Sequence, residues 1–160
     1  MLGRKVHLAV VAILVIVGLF MPSLWAEEIK LASGGVIVEK VADRPFPAVD
    51  SKLQAALKGA NLIIVGEPNY QIMQRMVGRE RRFSKAYLIF RPDLGIPIFE
   101  SSYAAAMEIP LKVLLWERED KKTVIRYKKP SSLLADYSGL DSLGKQLDDI
   151  LDKITAAAVK

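Results

Sequence analysis

The chain has 160 residues, with 23 Lys+Arg against 18 Asp+Glu, a formal charge of +5, one histidine and no cysteine. These counts exclude disulfides, a cysteine nucleophile, zinc-finger sites and iron–sulfur clusters. The one imidazole, His7, lies in an apolar leader, so everything after it lacks a histidine for general-base catalysis, a Ser-His-Asp arrangement or metal ligation.

Residues 1–26 have the three-part pattern of a secretory signal: Arg4 and Lys5, an apolar run from Leu8 to Phe20, then Pro22 and a small residue, Ala26, before Glu27-Glu28. The competing reading is a hydrophobic leader helix kept as an anchor. Residues 8–26 would span roughly 28 Å at ~1.5 Å per residue, close to the thickness of a bilayer core. Either reading leaves the positive end inside and sends the remainder across the membrane. The expected location is therefore periplasmic or extracellular, with residues 8–26 as the only contact with the inner membrane. Removing the leader takes away two basic and no acidic residues, leaving +3 on residues 27–160. Those residues are expected to form a single domain.

Gly35–Val41 is β-branched and follows Ser33-Gly34, which predicts a strand, with Ile29-Lys30-Leu31 as a short partner across the turn. Val49, Leu53, Ala56, Leu57 and Ala60 have helical spacing, with Gly59 as the expected stop. The continuous run 61–66 reads as a buried strand. Asn69 is placed to cap a helix carrying Ile72, Met73, Met76 and Val77 on one apolar face and ending at Gly78. Residues 79–85 read as a charged connection and 86–90 as the central strand. Arg91-Pro92-Asp93-Leu94-Gly95 reads as a turn, with Pro97 opening a helix. Leu111–Trp116 and Thr123–Lys128, joined by a polar loop, predict a hairpin. A short helix from Pro130 and a long one with its stripe at Leu140, Leu143, Leu147, Ile150, Leu151 and Ile154 complete the chain. The order predicts an α/β (α+β) sandwich: one mixed sheet of about 4–5 strands, a C-terminal-side antiparallel hairpin and helices packed on the sheet.

In this arrangement the chain resembles the domain of unknown function 302 family. The likeness is carried by Tyr87-Leu-Ile-Phe90, the Pro-x-x-Gly-x-Pro of 92–97, the stretch from Ala104 to Glu117 with its Ile-Pro-Leu-Lys approach and Trp-Glu close, Tyr127-x-x-Pro130 and Leu133-Leu-Ala135. The resemblance implies a compact α/β sandwich, sometimes a dimer, often exported, with no established biochemical role. Two positions where such proteins commonly carry histidine fall at Pro68-Asn69-Tyr70 and Asp136-Tyr137-Ser138-Gly139, so no imidazole function carries over.

The remaining side chains support few chemistries. Met73, Met76 and Met107 are soft ligands suited to Cu(I), but as part of an apolar face the first two are expected to fill the core. Glu67, Glu100 and Glu108 lie near element ends, yet an acid–base pair needs a fixed separation that spacing alone does not provide. The serines lack an activating histidine and a Gly-x-Ser-x-Gly elbow. No phosphate-binding glycine loop is present. Arg75, Arg79, Arg81, Arg82 and Lys85 form a basic cluster, read as a solvated face; export argues against nucleic acid as a partner. Tyr70, Arg91, Tyr103 and Glu108 bracket strand ends and are the candidate ligand-binding residues, a guanidinium beside aromatic rings being able to hold a carboxylate. No catalytic residue, metal site or cofactor is expected. The reading is a non-enzymatic exported module that binds a small ligand or an envelope protein partner, with a homodimer among the expectations. The alternative is an envelope enzyme or redox/metal accessory protein using carboxylates or an unrecognised cofactor.

Overall fold

The structure, a computed structural model, describes residues 27–30 and 35–160. The leader, and with it the expectations of a signal peptide, anchor or leader helix, lies outside the described residues. No helix among the described residues is long and apolar enough to cross a membrane.

The strands are β1 (Glu27–Lys30), β2 (Val36–Ala42), β3 (Ile63–Gly66), β4 (Ser84–Phe90), β5 (Leu111–Glu117) and β6 (Thr123–Lys128). They form one sheet in the order β1-β2-β6-β5-β4-β3, and every pairing is antiparallel. The α+β sandwich therefore stands, while the expected mixed sheet is antiparallel throughout and the short β1 extends it to six strands. The helices are α1 (Phe46–Gly59), α2 (Tyr70–Arg75), α3 (Pro92–Ser101), α4 (Pro130–Leu133) and α5 (Asp141–Val159), with a 3-10 segment at Tyr103–Glu108.

Period-2 alternation decides what each strand buries. Val38 on β2, Tyr87 and Ile89 on β4, Val113 and Leu115 on β5, and Ile125 on β6 point to one side, where they pack with Leu53 and Leu57 of α1 and Leu147 and Leu151 of α5. Lys40 lies on the same side and is buried. Its Nζ donates to Asp152 Oδ1 at 2.7 Å and to the Asp152 carbonyl at 2.9 Å, which ties β2 to α5. Gly144 brings α5 onto α4: a Cβ there would meet Ser131 Cα at 2.7 Å. All these helical contacts are on one layer, so among the described residues these helices leave the opposite face of the sheet uncovered.

Several local expectations need correction. The helix α1 ends at Gly59 as expected, but the left-handed position that closes it is Asn61, whose φ is +57°. Hydrogen bonds Asn61 N to Lys58 O and Leu62 N to Leu57 O close it as a Schellman motif. The run 61–66 is an edge strand, not a buried one; Leu62 enters the core, but Ile63 and Val65 are half exposed. Asn69 caps α2 as expected, its side chain accepting from Ile72 N. The helix stops at Arg75, short of Gly78, and the expected apolar face points outward: Ile72 and Met73 of α2 and Met76 and Val77 of the turn after it are all exposed. The predicted turn at 91–95 is already helical: Pro92 opens α3, and Pro97 falls inside it. Ser84 and Lys85 belong to β4 instead of the connection before it.

Candidate functional site

The same alternation that buries Val113 and Tyr127 sends Lys112, Leu114 and Trp116 of β5, and Val124, Arg126 and Lys128 of β6, to the open face. Ile37, Glu39 and Val41 of β2 join them. The face is apolar at its centre: Ala86 and Val124 are wholly covered, and Leu114 and Trp116 are half-buried. Arg126 is held there by Glu39 on the next strand, with Nε 2.7 Å from Oε2 and a second, shorter contact from Nη2 to the same oxygen. Its guanidinium lies 5.0 Å from the Trp116 ring, a cation–π contact that fixes both side chains.

Next to this anchored pair is a groove of about 290 Å³. Its floor is Ile37, Leu114 and Leu133, its cations are Lys112, Arg126 and Lys128, and one rim is Met107, Glu108 and Pro110. The register Val113↔Tyr127, continued by one antiparallel step, puts Lys112 beside Lys128 on the same face. Neither lysine has an ion-pair partner among the described residues. Like charges side by side on a sheet are unfavourable. An anion seated over Leu114 between the two ammonium groups would remove that repulsion. The volume lies at the lower edge of what small-ligand sites occupy, roughly 300–1,000 Å³.

A second hollow of about 300 Å³ adjoins the groove at Pro110, which lines both. It is apolar: Val65, Phe90, Phe99, Ala106, Ile109 and Pro110. A third space, lined by Ile89, Ile98, Leu94 and Leu147, holds only about 20 Å³ and is a packing void that no organic ligand could enter.

The four candidate residues from the sequence do not share one site. Glu108 lines the groove. Tyr103 is on the 3-10 segment beside the hollow, largely exposed, its ring edge-on to Phe99 at 6.0 Å. Arg91 is at the start of α3, where Nε and Nη2 each donate to Asp93 at 2.9 Å. That contact holds the Asp93 carboxyl below its ordinary value. Tyr70 begins α2, next to the bridge Asn69↔Lys85 at the other end of β4. Seven residues of β4 separate the two ends by roughly 20 Å at ~3.3 Å per residue. An antiparallel sheet alternates its chain ends, so residues that all follow or precede strands go to opposite edges.

Two features escaped sequence reasoning. The lysine pair has a signal, namely Lys112 and Lys128 out of phase with the apolar positions of a predicted hairpin, but the register that joins them does not show in the spacing. The other is a polar lock between α1 and β4. Lys85 Nζ lies 2.9 Å from Asp50 Oδ2 and 3.9 Å from Glu67, and 4.5 Å above the Tyr87 ring. Burial, and then the Asp50 hydrogen bond, push the Tyr87 phenol well above its ordinary pKa. Tyr87 thus acts as a donor to Asp50, and this cluster lies on the helix side, away from the groove. Among the described residues no group of three or more His, Cys, Asp or Glu is placed to hold a metal ion. Within the basic cluster, Arg75 pairs with Glu80 at 3.6 Å and Arg82 with Glu119 at 2.9 Å.

The fold is that of a two-layer α+β domain in which the described helices cover one face of the sheet and the groove lies on the other. The chain belongs to the family of the domain of unknown function DUF302, whose model matches residues 38–158. Its fold is also that of an uncharacterized conserved DUF302 protein from Bacillus stearothermophilus, known from a crystal structure. The two share 11% identity and superpose with a TM-score of 0.70, over 78% of this chain and 98% of the other. No curated protein matches the chain.

Proposed function

We propose that this domain is a non-enzymatic binding module whose ligand is a small organic anion seated in the groove of the open sheet face. The observation that carries this reading is the Lys112–Lys128 pair: two ammonium groups side by side above an apolar floor, with the third cation, Arg126, already neutralised by Glu39. Leu114 and Ile37 would receive the apolar part of the ligand, and Glu108 on the rim would accept from a hydroxyl or amide. Among the residues lining the groove Glu108 is the one carboxylate, so the second carboxylate that acid–base chemistry needs is missing there. The proposed location is outside the cytoplasm. Its support is the Arg4-Lys5 start, the apolar run to Phe20 and Ala26 before Glu27.

The test is calorimetric titration with benzoate and with inorganic phosphate. Benzoate should bind, and the double substitution K112E/K128E should weaken it by at least tenfold. Binding that is equal in the two proteins would refute the reading.

A further inference from the structure

The groove and the hollow meet at Pro110, and their linings differ in kind. The groove presents Lys112 and Lys128, which have no ion-pair partner among the described residues, whereas the hollow has an almost wholly apolar wall of Val65, Phe90, Phe99 and Ile109. Val65 is half exposed on an edge strand and Phe99 is also substantially exposed on α3. Met107, largely exposed, lines the groove beside Pro110, the residue that the two depressions share. Exposed apolar surface on a monomer marks a binding site when it is contiguous. Here it is contiguous with a cationic site of similar volume.

We infer that the groove and hollow together form one site for an anionic amphiphile, a single-chain molecule with a carboxylate or phosphate head and an unbranched apolar tail. The head sits between Lys112 and Lys128, and the tail passes Met107 and Pro110 into the hollow walled by Val65 and Phe99. This inference rests on the groove reading above and gives its ligand a length and a direction. Charge complementarity selects the head: with Arg126 paired to Glu39, the described lining of the groove still carries Lys112 and Lys128 against one carboxylate, Glu108. The apolar hollow selects the tail, because a short anion would leave that wall in water. The source is a free monomeric amphiphile and not a membrane surface, since the two lysines line the same groove as Met107 and Pro110, and Pro110 carries that groove into the apolar hollow.

The protein, purified without detergent, is titrated by calorimetry with hexanoate, with dodecanoate below its micellar concentration, and with dodecanol. Sedimentation with vesicles of phosphatidylcholine and phosphatidylglycerol forms a separate arm. Dodecanoate should bind at least about tenfold more tightly than hexanoate, as two fully buried methylenes at roughly fourfold each would give. Dodecanol should bind at least tenfold more weakly than dodecanoate. Val65→Glu should remove the advantage of the longer chain while leaving hexanoate unchanged. Lys112→Glu should weaken both acids, and Val77→Glu, in the turn after α2 and outside both linings, should affect neither. Thermal unfolding of each variant confirms that it is folded. If both acids bind equally and V65E has no effect, the amphiphile is wrong and the anion groove survives. If neither acid binds, both readings fail. Sedimentation with vesicles without binding of free dodecanoate would assign the site to a membrane and overturn the inference.

Discussion

The Tyr87 hydroxyl donates to Asp50 Oδ1 at 2.5 Å, from the centre of the sheet to the first half of α1. The other oxygen of the same carboxylate accepts from Lys85 at 2.9 Å. One aspartate therefore satisfies two donors that are themselves largely removed from water. Removing it leaves a buried ammonium and a buried phenol without their acceptor, a loss of about 3 kcal/mol. Asp50→Ala should lower the urea midpoint accordingly. Tyr87→Phe deletes one donor only and should cost about 1.5 kcal/mol. Equal midpoints for wild type and D50A would show that the lock contributes nothing.

The same contact sets an alkaline limit. The folded state holds the Tyr87 proton more tightly than the unfolded chain does. Below about pH 10, the ordinary tyrosine value, both states are protonated and the contribution is fully present. Above it the unfolded chain gives up the proton while the folded one keeps it, so stability falls with rising pH. This one group contributes up to about 1.4 kcal/mol per pH unit to the fall. Y87F should make the decline between pH 10 and 11 measurably shallower. Parallel wild-type and Y87F curves in chemical denaturation would contradict the assignment.

Gly144 predicts an effect opposite to helix propensity. Alanine is favoured over glycine inside a helix by about 1 kcal/mol. At this position, however, its Cβ would come within 2.7 Å of backbone at Ser131, whose amide and hydroxyl are held by Asp148 at 2.9 and 2.5 Å. The α4–α5 contact must open to admit it. Gly144→Ala should destabilise by roughly 2 kcal/mol, within the usual range for overpacking. A gain in melting temperature would mean that α4 moves freely.

Lys112→Glu separates stability from binding. It replaces two adjacent like charges with a cross-strand pair to Lys128, a change of about 0.2–1 kcal/mol in favour of the fold. The variant should melt at or above the wild-type temperature while losing benzoate binding. A variant that is both less stable and still competent to bind would contradict the role given to the pair.

How far the sequence discloses this molecule depends on the range of the interaction. The β5–β6 hairpin is legible because two runs of β-forming residues, Leu111–Trp116 and Thr123–Lys128, flank one short polar loop. The long helix α5 is legible from its stripe of leucines. Exposure is not legible for 63–65 or for α2, because an apolar run looks the same at a sheet edge, beside an apolar hollow, as it does in a core. Pro92 and Pro97 both have the form of a helix start, and only the packing of Ile98 and Gly95 into the core selects the first. The Asp50–Lys85–Tyr87 lock joins residues 35 or more apart. The Lys112–Lys128 pair depends on a strand register. Of the four candidate site residues only Glu108 reaches the groove, because the candidates were drawn from strand ends that an antiparallel sheet separates.

Backbone amide shifts recorded during a benzoate titration locate the ligand on the molecule. With the anion at the lysine pair, the largest changes fall at Ile37, Lys112, Leu114 and Lys128, on three neighbouring strands, and the Asp50–Lys85 region on the opposite face stays still. Changes centred on the helix layer or on α2, or no changes at millimolar benzoate, would contradict that placement.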